Sequence, residues 1–295
     1  MYLLVILSRL PFAILYRISD ALYFFSYYLI QYRRKLVERN LQNSFPDKPY
    51  QERKAIARQF YRNLCDYVVE TLKLLTIDAE ELKKRMHFTN AELFSDYATH
   101  NQSVILLSSH QFNWEWLLAA GNLWLRAPID FVYQPIRARF TERLMYRCRT
   151  RFGGHPIKRN EVARELAKRK AIVRGIAIVA DQYPGRSQDK RYEAKFLNQS
   201  TVFFTGSQQM ATLTQYPVLY GSVQRIKRGY YSCTLIKLAE PPYAPGSDDV
   251  LKNYIREVEH VINNNPSGWL WSHNRWKTRH LKQASAKYPR ASVAS

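Results

Sequence analysis

The fold class expected of this 295-residue chain is α/β: a central mixed sheet flanked by helices, preceded by an apolar helical segment at the amino terminus. Three observations carry that expectation. From Ser103 onward, short β-branched or aliphatic runs alternate with stretches of helical periodicity, the pattern of a sheet with helices laid against it. The first 32 residues are mostly aliphatic and aromatic. The length fits one large or two small domains and suffices to bury a sizeable core; one domain with an amino-terminal appendage is the favoured reading.

Residues 1–32 carry only Arg9, Arg17 and Asp20 as charges, and they hold Tyr16, Tyr23, Tyr27, Tyr28 and Tyr32 beside Phe12, Phe24 and Phe25. A spanning helix needs about 20 predominantly apolar residues. The longest uncharged run, 21–32, is shorter and rich in tyrosine, which favours membrane interfaces. An interfacial anchor or a short tilted span is therefore preferred for residues 1–35, with a buried helix pair of a soluble domain as the alternative. No small-residue cleavage site comes after it, so a removable signal peptide is not expected. Arg33, Arg34, Lys35 and Arg39 come next; the positive-inside tendency places the rest of the chain in the cytoplasm and sets these residues near anionic headgroups.

Pro46, Asp47 and Pro49 mark a turn, after which 51–75 reads as a long helix with Ile56, Phe60, Leu64, Tyr67, Val68, Leu72 and Leu75 in an apolar stripe that serves ordinary core packing. Then come a strand at 104–107, a helix at 114–125, a strand at 129–133, helices at 139–149 and 160–169, and a strand at 172–180. A short helix at 206–213 precedes strands at 218–223 and 232–238, joined through the Arg228-Gly229-Tyr230 turn. Asp248 or Asp249 caps the last helix, which keeps its apolar interval until Pro266 stops it. The main domain is thus 36–282, and the tail at 283–295, rich in Ala, Ser, Lys and Arg, is expected to fray.

The stretch His110-Gln111-Phe112-Asn113-Trp114-Glu115 comes directly after the first buried strand. A helix that began before His110 would carry Glu115 roughly 140° around the axis from it. The two side chains meet only if the chain turns between them. In that case Glu115 accepts the proton on one imidazole nitrogen and fixes the tautomer, while the other nitrogen takes a proton from a substrate hydroxyl: a general base with no protein nucleophile. The bland alternative is a histidine at a strand end and a glutamate on the next helix.

Composition narrows the partners. Lys and Arg number 45 against 24 Asp and Glu, a formal charge of +21, which implies an anionic partner. Nucleic acid is disfavoured, because the basic residues are dispersed and no zinc-finger spacing, glycine-rich clamp or basic-zipper heptad is present. An anionic membrane, a phosphorylated lipid or an acidic carrier protein fits better. Cys65, Cys148 and Cys233 are odd in number and far apart, which indicates neither a disulfide framework nor a zinc site. His110 has no second histidine at a metal-ligand interval, so no metal is expected.

Three further segments add to the dyad: Val179-Ala180-Asp181-Gln182 followed by Pro184-Gly185-Arg186; Arg147, Arg149 and Arg151 with Gly153 and Gly154; and the Trp269-Leu270-Trp271-Ser272-His273-Asn274-Arg275-Trp276-Lys277-Thr278-Arg279 run. In this order, and over nearly the whole chain, the set resembles the bacterial lipid A biosynthesis acyltransferases, the lauroyl and myristoyl transferases of the lysophospholipid acyltransferase superfamily. The resemblance implies a glycerolipid acyltransferase-like fold for residues 36–282, without a cofactor. It implies transfer of a fatty acyl chain from acyl carrier protein to a hydroxyl of a lipid A precursor, at the cytoplasmic face of the bacterial inner membrane. His110 is then the base and Glu115 its orienting carboxylate. Arg149 aligns with a family arginine that meets an oxyanion or a lipid phosphate, with Arg147 and Arg151 on the same stretch, and Asp181 aligns with the family acid. Trp114, Gln182, Thr205, Trp271, His273, Arg275 and Lys277 are expected near substrate or membrane, the last three basic residues facing phosphate. Two departures, Gln134 where the family usually has arginine and the Asn-Trp interior of the dyad, bear on the acceptor lipid.

Overall fold

The computed structural model describes residues 1–184 and 191–277. Gly185, Arg186, Thr278, Arg279 and the tail expected to fray lie outside the described residues. The chain begins with α1 (Tyr2–Arg9) and α2 (Phe12–Phe24), which passes into a π-helical turn (Phe25–Leu29), and continues through α3 (Arg34–Ser44), α4 (Tyr50–Lys73) and α5 (Ala79–Arg85). After β1 (Met86–Phe88) and α6 (Glu92–Thr99) come β2 (Val104–Ser108), α7 (Trp114–Trp124), β3 (Ile129–Tyr133), α8 (Arg139–Thr150), β4 (His155–Lys158), α9 (Val162–Lys168) and β5 (Gly175–Val179). The chain then forms β6 (Arg191–Phe196), β7 (Gln199–Phe204), α10 (Gly206–Thr214), β8 (Val218–Lys227), β9 (Tyr230–Ala239) and α11 (Asp249–Asn264).

Seven strands make one sheet in the order β1-β9-β8-β2-β5-β3-β4. All neighbours are parallel except the β8–β9 hairpin, so the sheet is mixed, as expected. β6 and β7 form a separate antiparallel hairpin. Strands β2 and β5 lie at the centre and are apolar on both faces, as a parallel strand covered on both sides must be. Alternation along β2 divides the interior in two: Ile105 and Leu107 join Ile176, Val218 and Tyr220 against α11, whereas Val104 and Leu106 join Leu219 and Cys233 against α7. Strands β1 and β4 are three and four residues long, too short to show a period, and were not foreseen.

Among the described residues no single helix is long and apolar enough to cross a membrane; α1 and α2 with its π turn pass that test together but are bent by 115° at Leu10-Pro11. The segment is also packed onto the body. Ser19 donates to Asp66 Oδ1 at 2.7 Å and Tyr16 to Glu70 Oε1 at 2.9 Å, both on α4, while Arg228 of the β8–β9 turn bridges Asp66 and Asp20. The turn needs Gly229, whose φ is +73° and whose added Cβ would lie 1.9 Å from the Tyr16 hydroxyl. The outer side of these helices remains apolar and exposed at Tyr2, Leu3, Ile6, Phe24, Phe25, Leu29 and Ile30. Two of the four basic residues beyond the π turn fold back onto the protein: Arg33 donates to the Ser272 carbonyl, and Arg34 pairs with Glu38 and lies over Tyr27.

Candidate active site

β2 and β5 are parallel neighbours with Ser108 opposite Val179. Two residues beyond that register, where both strands end, stand His110 and Asp181. The carboxyl ends of strands are where open α/β sheets place ligands. Asp181 Oδ1 lies 2.6 Å from His110 Nδ1, and Asp181 Oδ2 accepts the His110 backbone N–H at 3.0 Å and the Trp269 indole N–H at 2.7 Å. Burial works to raise the Asp181 pKa, but the imidazole and these donors outweigh it and hold the carboxyl at about 2. An ionised carboxylate accepts only, so Nδ1 carries the proton and Nε2 is the free base nitrogen. The Gln182 amide donates to Nε2 at 3.0 Å.

The carboxylate expected on His110, that of Glu115, is engaged elsewhere. Arg149 Nε and Nη2 grip Glu115 Oε2 and Oε1 at 2.8 and 2.6 Å, and the Trp114 indole donates to Oε1 at 3.1 Å. Asn113 explains the geometry: its side chain caps α7 by accepting the Trp116 N–H at 2.9 Å, so the helix starts after His110 and carries Glu115 toward α8. Arg149 is therefore bound to Glu115 on the wall of the site. Trp114 links this pair to the base, stacked on Tyr67 at 4.2 Å and edge-on to His110 at 4.9 Å. Arg147 is exposed on α8, and Arg151 donates to the Leu74 carbonyl at the end of α4; neither is among the described contacts of His110, Asp181 or Glu115.

The loop holding His110 is fastened from two sides. Leu270 N–H donates to the His110 carbonyl at 3.0 Å, Phe112 N–H donates to the Gly268 carbonyl at 2.8 Å, and Gln111 bridges Trp269. The approach is close enough that a Cβ at Gly268 would lie 2.6 Å from the Phe112 ring. On the other side, buried Glu70 accepts from Asn113 at 2.8 Å and from Tyr16 and Tyr231, tying the start of α7 to α4, α2 and β9. Burial raises the Glu70 pKa to about 7 against the pull of these donors.

The tryptophan-rich run is thus chiefly a support. Trp269 and Trp271 are buried and meet edge-on at 4.8 Å, and the Trp271 indole donates to the Pro266 carbonyl, which places it in the core and not at an interface. His273 Nε2 accepts the Tyr183 N–H at 3.3 Å, and burial lowers its pKa to about 4, so it is neutral near pH 7 and offers phosphate no charge. Arg275, expected on the wet side, is 1% exposed, lies 4.5 Å from the Phe203 ring centroid, and its guanidinium has no hydrogen-bond partner among the described residues. Lys277 is exposed, over the Tyr183 ring at 5.0 Å. Thr205 precedes α10 and accepts from Gln209 at 3.1 Å; it is not among the described contacts of His110 or Asp181. Tyr67 is a site residue that the helical stripe had assigned to core packing, and Trp269 stood only within the tryptophan-rich run; spacing carries no sign of which ring meets the His110–Asp181 pair.

A narrow apolar cavity lies between α7 and the sheet, with Trp114, the neighbour of the imidazole, in its lining. Ser108, Trp114 and Val179 line the end near His110; Leu117, Ala177 and Gly221 form the walls; Phe88, Leu125 and Cys233 stand at the far end. Along α7 the lining residues from Trp114 to Leu125 span roughly 16 Å, from the rise per residue.

His110 and Asp181 form a carboxylate–imidazole pair next to Trp114 of the apolar cavity, and the protein is an acyltransferase. It belongs to the bacterial lipid A biosynthesis acyltransferase family, whose model matches residues 1–278. It is 22% identical over 275 residues, 92% of this chain and 88% of the other, to the lipid A biosynthesis lauroyltransferase of Escherichia coli (strain K12).

Proposed function

We propose that the protein transfers a fatty acyl chain from the thioester of acyl carrier protein to a hydroxyl of a lipid A precursor, with His110 as general base and Asp181 as its orienting carboxylate. The observation that carries this reading is that His110, backed by Asp181 through Nδ1, lies edge-on to Trp114, a residue that lines the apolar cavity. The acyl chain lies in the cavity with its thioester carbonyl beside the imidazole. The acceptor hydroxyl takes the position that Gln182 fills at Nε2. As its oxygen attacks the carbonyl carbon, Nε2 takes the proton; when the tetrahedral intermediate collapses, the C–S bond breaks and the imidazolium returns the proton to the leaving thiolate. Asp181 stabilises the imidazolium between these steps.

The exposed apolar residues of α1, α2 and the π turn support seating on a bilayer with the helices lying at the interface, and the basic residues from Arg33 to Arg39 favour the cytoplasmic face of the inner membrane for the catalytic domain. A test is purified protein supplied with acyl carrier protein and coenzyme A thioesters against a panel of hydroxyl and amine acceptors, lipid A precursors and lysophospholipids among them. Acylation of the lipid A precursor from the carrier thioester, abolished in His110→Ala with vesicle binding retained, is the expected result. Turnover that survives in His110→Ala removes the base role.

A further inference from the structure

We propose that the outer face of α8 is the docking surface for an acidic helical protein, which, resting on the proposed function, is the acyl carrier protein that brings the donor. Arg139, Arg143 and Arg147 recur every fourth residue and form one stripe roughly 12 Å long on that helix. They and Arg137, just before the helix, are exposed, and none has an ion pair or side-chain hydrogen bond among the described residues. The one acid of α8, Glu142, is turned inward, where its Oε2 accepts the Ile136 N–H at 2.8 Å. The face is therefore cationic without internal compensation.

Its shape selects the class of partner. Half-buried Leu144 and fully buried Cys148 turn the apolar side of α8 inward, so the helix has no aliphatic stripe to sink into acyl tails. Exposed Phe140 and Tyr146 flank the arginines, the aromatic-plus-arginine composition of protein interfaces. Arginines one helical turn apart match carboxylates spaced one turn apart on a facing helix. The position of the stripe suits delivery of a thioester: the same helix sends Arg149 inward to Glu115, which touches Trp114 in the lining of the cavity. A helix docked outside α8 is separated from the Arg149–Glu115–Trp114 chain of contacts by the width of α8, about 10 Å.

The experiment compares two donors carrying the same acyl group, the carrier-protein thioester and the free pantetheine thioester, in wild type and in the double reversal Arg139→Glu/Arg143→Glu. Removing two attractions and adding two repulsions is expected to raise KM for the carrier-bound donor about tenfold or more. KM and kcat for the pantetheine donor stay unchanged, as does sedimentation with phosphatidylglycerol vesicles, and Arg139→Lys/Arg143→Lys keeps the wild-type KM. An unchanged carrier KM in the reversal overturns the proposal. So does loss of vesicle binding with the carrier KM intact, which makes the stripe a membrane contact. If wild type turns over neither donor, the acyl-transfer reading fails separately, and titration of the carrier protein onto wild type and reversal still decides: equal affinities refute the docking surface.

Discussion

Asp181→Asn is isosteric and removes one charge. In the native site Asp181 accepts from three donors, His110 Nδ1–H, His110 N–H and the Trp269 indole N–H, within 2.6 to 3.0 Å. An amide has one acceptor oxygen. If its NH2 faces Nδ1, the imidazole must take the opposite tautomer, with the proton on Nε2 and no base toward substrate; if it faces the other two donors, N–H meets N–H in a buried site. The carboxyl is held at about 2 against its ordinary 3.8 by these contacts working against burial. At about 1.4 kcal/mol for each tenfold change in proton affinity, this corresponds to about 2 kcal/mol, undiminished by solvent because the side chain is 2% exposed. Since the folded pKa is depressed, the stabilisation is present above pH ~4 and lost as pH falls toward ~2, and the variant is expected to be less stable than wild type at neutral pH. Activity should fall further than stability, with kcat down on the order of 10³ to 10⁴ because the tautomer is lost as well as the charge. The assay is kcat against pH with the carrier thioester, alongside urea unfolding at pH 7. Turnover within about tenfold of wild type and an unmoved pH profile, together with abolition of activity in Glu115→Gln, would refute the reasoning and return the orienting role to Glu115.

Glu115→Gln leaves the Arg149 guanidinium, 19% exposed, without its bidentate partner; a loss of about 2–3 kcal/mol in urea unfolding is expected, with a smaller fall in kcat than in Asp181→Asn. The double variant Glu115→Gln/Arg149→Met should recover part of that loss, and strictly additive losses would show that the pair is not coupled. At Gly121 an added Cβ meets Leu125 and Phe88 only at 4.0 Å, so Gly121→Leu is expected to fold and to block the far end of the cavity; competition between acyl donors of different length should then favour shorter chains, and an unchanged preference would place the chain elsewhere. His273 is lowered from 6.5 to about 4 by burial, so the unfolded chain binds a proton through that interval that the folded protein refuses. Stability should fall by about 3 kcal/mol as pH drops from ~6.5 to ~4, and His273→Gln, which keeps an acceptor for the Tyr183 N–H, should flatten that part of the urea-midpoint profile.

The elements that carry long periods were legible. The helix read at 114–125 is Trp114–Trp124, the strand read at 129–133 is Ile129–Tyr133, and the last helix begins at Asp249 and ends before Pro266. β5 is shorter than the 172–180 run that announced it, because Arg174 leaves the strand pattern to hold Asp130 and the carbonyls of Arg169 and Ile172. The β6–β7 hairpin was missed, since its strands mix charged and apolar residues and its outer face is wet. The apolar start of the chain was recognised but not its bend, which Pro11 introduces by ending α1 and reopening a helix at Phe12.

The sequence by itself determined the α/β class, the seat of His110 at the end of a buried strand, and the family, because these depend on local period and on motifs that are contiguous in the chain. Which carboxylate meets His110 was decided by the tertiary structure. Glu115 is five residues away and Asp181 seventy-one, yet the parallel register of β2 and β5 brings the distant acid to 2.6 Å, while the Asn113 cap turns the near one toward Arg149. Sheet register and the start of a helix are set by packing across the whole domain, and spacing along one segment does not contain them.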